Sequence, residues 1–132
     1  MGFEIFWDND AKTILRHIYH DHLTVEAYYE AIEESFAFLA SVPHMVDIII
    51  QFDTAAPTER FSFLSQIAAY AGYRAPENEG LKVIVAPRSV LNTLSREAML
   101  KLQSQQGWLL VDNLKHAYEL IQHHDQDRYA RR

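Results

Sequence analysis

Apolar and polar positions change period several times along the chain. In "FEIFWDN" they alternate, with Phe3, Ile5 and Trp7 on one side and Glu4, Phe6 and Asp8 on the other. That is the period of a strand with two unlike faces. "KTILRHIYH" alternates as well, and the "DND" between the runs is turn chemistry. An opening β-hairpin is expected. From Val25 the spacing lengthens: Val25, Tyr28, Ile32, Phe36 and Leu39 form a helical stripe, while Glu26, Glu30, Glu33 and Glu34 lie away from it. Thr24 is placed as its N-cap, Leu23 staples onto Tyr28, and Pro43 stops the helix.

"MVDIIIQF" then runs apolar without alternation and is rich in β-branched residues. A strand covered on both faces has this signature. Phe61, Leu64, Ile67, Ala68 and Ala71 predict a second helix entered through Pro57 and closed near Gly72. "LKVIVA" is another buried strand, and Leu91, Leu94, Ala98 and Leu102 predict a third helix ending near Gly107. "WLLV" is a short fourth buried-type segment, and Leu114, Ala117, Tyr118 and Ile121 line a last helix capped by Asp112 or Asn113. The predicted order is β-β-α-β-α-β-α-β-α, a single-domain α/β fold with a mostly parallel, mixed five-stranded sheet. The domain spans residues 1–124, and residues 125–132 form a C-terminal tail.

Bulk properties narrow the function classes. At 132 residues the chain makes one domain, and its 48% hydrophobic content supplies a core. A net charge of −6 argues against non-specific nucleic-acid binding, which needs Lys and Arg against phosphate. The absence of cysteine removes disulfides, thiolate nucleophiles and Cys-bound zinc. The amino-terminal residues lack a signal-peptide pattern, and the longest apolar run, Phe36 to Ala40, is too short to span a bilayer. A cytoplasmic location is expected.

"VDIIIQFDTAAP", "LKVIVAPRSVLNTL" and "WLLVDNLKHAYELI", with the preceding hairpin and helix, cover nearly the whole chain. In that order they resemble the STAS domain, the fold of anti-sigma-factor antagonists. "WDNDAKTI" and "ASVPHMVDIII" are similar to segments of bacterial members of that superfamily. The resemblance implies a non-enzymatic signalling or interaction module that binds a protein partner. In the family, a Ser in the loop after the strand ending at Asp53 is phosphorylated by a partner kinase, within an Asp-Ser-Ser-Gly pattern. Here that pattern is degenerate: Ser62 falls near the acceptor position by ungapped counting, and Thr54 and Thr58 lie nearer the loop.

In open α/β sheets, ligands gather beyond the carboxyl ends of parallel strands. That rim would hold Asp53, Thr54, Thr58, Glu59, Arg60 and Ser62, then Arg88 and Ser89, then Asp112 and Asn113. The bland alternative for the same residues is helix capping. Arg88 with a helix start could instead hold a small anion. His20 and His22, and His123 and His124, form pairs without zinc-site spacing, so no metal or other cofactor is expected. No nucleophile elbow or phosphate-binding glycine loop occurs, leaving an acid–base pair of Asp53 with a distant His as the enzymatic option. A small-ligand carrier or sensor for a lipid-like or anionic metabolite is the second function class, with Phe61, Phe63, Tyr70 and Tyr73 as pocket residues. Phe6, on the outer face of the hairpin, is expected at a homodimer contact or beneath another part of the monomer.

Overall fold

A computed structural model describes residues 3–20, 25–52, 76–88 and 108–130. These residues form β1 (Phe3–Trp7), β2 (Ile14–Tyr19), α1 (Val25–Ala40), β3 (Val46–Phe52), β4 (Glu79–Val85), β5 (Trp108–Val111) and α2 (Leu114–Ala130). The five strands make one sheet in sequential order, β1-β2-β3-β4-β5. β1 pairs antiparallel with β2, and every later pair is parallel. The α/β class and the mixed five-stranded sheet are thus as the periodicity predicts. Two of the four expected helices lie among the described residues. The second and third helices, the Thr24 cap and the Leu23 staple fall outside them.

Strand parity assigns the two helices to opposite faces. Leu15, Val46, Ile48 and Ile50 pack with Phe36 and Leu39 of α1, joined by Ile5 and Trp7 of β1. Ile49, Leu81, Val83, Val85 and Val111 pack with Ala117 and Ile121 of α2. β3 therefore buries successive isoleucines on opposite sides, which is why its sequence shows no alternation. α1 buries Tyr28, Ala31, Ile32, Ser35 and Leu39 and turns its glutamates outward, the face read from sequence. α2 continues to Ala130, into the segment read as a tail. No described helix is long and apolar enough to cross a membrane.

Polar side chains fasten the amino-terminal edge of the sheet. Asn9 closes the hairpin: its Oδ1 accepts from the N–H groups of Thr13 (3.0 Å) and Ile14 (3.2 Å), and Lys12 takes a left-handed φ of 58°. The β3–β4 register shifts between Val46 and Ile48, so β4 carries an extra residue opposite Asp47. A bulge of this kind interrupts the ladder and leaves a backbone group without its strand partner. The buried Asp47 carboxylate supplies one, accepting the Leu81 N–H at 2.8 Å. Beside the bulge, Lys82 Nζ sits 3.0 Å from Glu79, with both side chains almost fully enclosed. Burial raises the Glu79 pKa, while the Lys82 charge pulls it back down. Asn78 ends α1 in place of a glycine, its Nδ2 donating to the carbonyls of Leu39, Val42 and His44.

Candidate interaction site

The parallel strands β3, β4 and β5 end side by side, and their carboxyl ends open into a cleft of about 310 Å³. Gln51 and Phe52 come from β3, Val85, Ala86 and Pro87 from the end of β4, and Asp112, Asn113 and Leu114 from the turn into α2. Buried apolar strands force this geometry. Once each hydrophobic run is exhausted, the chain must leave the sheet, and the groups at its exit are polar or able to cap.

The capping expectation for this turn is met by Asn113. Its Oδ1 accepts the His116 N–H at 2.8 Å, satisfying one of the free amides at the start of α2. Asp112 stands beside it and takes another role. Its carboxylate accepts from Asn113 Nδ2 at 2.8 Å and from Arg88 Nε and Nη2 at 3.2 and 3.1 Å. These contacts, the Asn113 hydrogen bond first, hold Asp112 below the usual carboxylate range. Arg88 is thus engaged by a neighbouring acid, with 78% of its side chain still exposed. Of the rim residues anticipated from sequence, the structure brings together Arg88, Asp112 and Asn113. Asp53, Thr54, Thr58, Glu59, Arg60, Ser62 and Ser89 lie outside the described residues, as do Phe61, Phe63, Tyr70 and Tyr73.

Behind the cleft, Gln51 belongs to a network that sequence reasoning did not anticipate. Arg16 of β2 donates to Gln51 Oε1 through Nε at 3.2 Å and through Nη2 at 2.5 Å. Its Nη1 lies 3.5 Å from Asp8, and Asp8 also accepts the hydroxyl proton of Tyr118 on α2. Burial first, then the bond to Asp8, pushes the Tyr118 pKa up to about 12. The network joins the turn after β1 to β2, β3 and α2, so the amide on the cleft wall is held by residues far apart in the chain. No sequence signal pointed to it, because the register that sets Arg16 beside Gln51 cannot be read from either strand alone.

On the α1 face, His17 is buried between Tyr19 Oη (3.2 Å from Nδ1) and Ser35 Oγ (3.1 Å from Nε2). Burial lowers its pKa from 6.5 to about 3, so the ring is neutral. Tyr19, Tyr28 and Phe52 stack beside it at centroid distances of 5.0 and 5.4 Å from Tyr19. Burial, and then Tyr28, raise the Tyr19 pKa. This is a packed polar core with both imidazole nitrogens engaged, 3% exposed and closed to a substrate. Elsewhere, His20 Nε2 contacts Glu4 at 2.8 Å. Among the described residues, no group of three or more His, Cys, Asp or Glu is placed to hold a metal ion. No protein-family model, curated protein or solved structure matches this chain.

Proposed function

We propose that the chain is a non-enzymatic, STAS-like signalling or interaction module that docks a protein partner across the carboxyl edge of its parallel strands. The observation that carries this reading is the cleft itself. It lies at the strand ends where α/β sheets present their working surface, and Asp112, which lines it, is paired with the exposed Arg88. The hairpin, the sequential strand order and the helix following β5 support the family side of the reading.

Charge reversal at Arg88 tests it. An exposed pair of this kind contributes about 1 kcal/mol or less to stability, so Arg88→Glu leaves the fold intact while inverting the rim charge. Affinity capture with wild type and Arg88→Glu, read by mass spectrometry, is expected to find a specific protein held by the first and released by the second. Equal capture by both, or catalytic turnover by the purified chain, would overturn the reading.

The cleft volume favours one second reading, a small-ligand carrier or sensor. About 310 Å³ falls at the lower end of the range for small-molecule sites, and Phe52, Val85 and Pro87 give it an apolar side. Native mass spectrometry of freshly purified protein separates the two, since a carrier retains a ligand mass that the docking module lacks.

A further inference from the structure

We propose that β1 pairs edge to edge with β1 of a second copy, antiparallel and in a single register centred on Ile5. Among the described residues, β1 is a terminal strand of the sheet. The Asp8 N–H donates to the Ile14 carbonyl at 2.9 Å, and the β1–β2 register continues unbroken from that pair. In an antiparallel ladder, hydrogen-bonded residues alternate with outward-facing ones. Asp8, Phe6 and Glu4 therefore turn their backbone groups to β2, and Phe3, Ile5 and Trp7 turn theirs outward. Exposed edges are normally blunted by Lys, Pro or a bulge. β1 contains none of these, and its one charge is Glu4.

Side chains select the occupant and the register. With Ile5 opposite Ile5 of the other copy, Phe3 faces Trp7 and Glu4 faces Phe6. Trp7 is already held, edge-on to Phe38 at 5.6 Å, so the aromatic row is preorganised. Phe6, 36% exposed, lies under the Arg16 guanidinium at 5.8 Å from its centroid. The exposed Glu4 of each copy thus arrives beside the cation covering the other copy's Phe6, once on each side of the two-fold axis. Shifting by two residues one way sets Glu4 against Glu4, and shifting the other way brings the two Arg16 groups together over paired Phe6 rings. Odd shifts would set outward-facing backbone groups against inward-facing ones. The central register alone satisfies backbone, aromatic and charge pairing together.

The chain has no cysteine, so single-cysteine variants read the register directly. Directly opposed residues in an antiparallel pair lie about 4.5–5.5 Å apart at Cα, inside the roughly 4.4–6.8 Å window of a disulfide. Under mild oxidation I5C is expected to cross-link, whereas E4C and F6C, which report the two slipped registers, are not. Sedimentation of the wild type at micromolar concentrations is expected to show a dimer that E4R weakens about tenfold, through two symmetry-related contacts. Circular dichroism controls for loosened packing in I5C, and E4R, at an exposed site, tests the edge independently. A monomeric wild type, cross-linking through E4C or F6C in place of I5C, or a dimer indifferent to E4R overturns the proposal.

Discussion

Replacing His17 with a side chain that cannot titrate should change how stability depends on pH. In the folded chain the ring is enclosed between Tyr19 and Ser35, and burial holds its pKa at about 3. In the unfolded chain it returns to about 6.5. Below that value the unfolded state binds a proton that the folded state refuses, so stability falls as pH falls. The loss starts near pH 6.5 and is complete near pH 3. Between pH 7 and pH 5 this single group should remove about 2 kcal/mol, from about 1.4 kcal/mol per pH unit once protonation of the unfolded chain is nearly complete. Urea unfolding of wild type and His17→Gln at several pH values isolates the effect, because the other titrating groups cancel in the difference. The variant begins less stable at pH 7, having lost a fitted ring, and the gap should narrow by about 2 kcal/mol at pH 5. A gap constant to within about 0.5 kcal/mol would show that the ring is protonated in the folded state or exchanges freely with solvent, and the buried site as described would be wrong.

Further substitutions probe the polar ties at the other end of the sheet. Asp47→Ala removes the acceptor of the Leu81 N–H at the bulge and should cost about 1–3 kcal/mol, while Asp47→Asn, which keeps an Oδ1 acceptor, should cost less than half as much. Urea unfolding measures both, and faster amide exchange at Leu81 in the Ala variant localises the loss. Lys82→Met strands the enclosed Glu79 carboxylate and should cost about 3–5 kcal/mol, most of it recovered in the double variant Glu79→Leu, Lys82→Met. Equal stability of the single and double variants, measured by the same unfolding, would show that Glu79 is solvated.

Elements with a strong period were legible in the sequence. β1 and β2 announce themselves by alternation, β3 and β4 by unbroken β-branched runs, and α1 by glutamates opposite a Tyr28–Leu39 stripe. The cap at Asn113 followed from residue type, with its neighbour Asp112 equally eligible until geometry assigned that carboxylate to Arg88. The contacts of His17, Asp47 and Arg16 were not legible. Each depends on which residue stands opposite on another strand or helix, and periodicity fixes a face without fixing a partner. His17 looked like one more histidine in a strand until Ser35, 18 residues away, proved to face it.

The same distinction bears on where function can reside. Within β2, β3 and β4, the polar residues His17, Asp47, Lys82, Arg16 and Gln51 are each committed to a contact inside the fold. Withdrawing any of them for chemistry would leave a buried donor, acceptor or charge without its partner, at a cost of about 1–5 kcal/mol. That is a large fraction of the net stability of a domain this size. Polar side chains outside the sheet interior carry no such penalty: Arg88 can exchange Asp112 for a partner's carboxylate, and Glu4 can share its contact with His20. Partner binding is therefore expected to be decided at the carboxyl rim and self-association at the β1 edge. Substitutions at His17, Asp47 and Lys82, which line neither surface, should alter stability while leaving the specificity of both unchanged, so Asp47→Ala and Arg88→Glu should have opposite profiles in unfolding and capture assays.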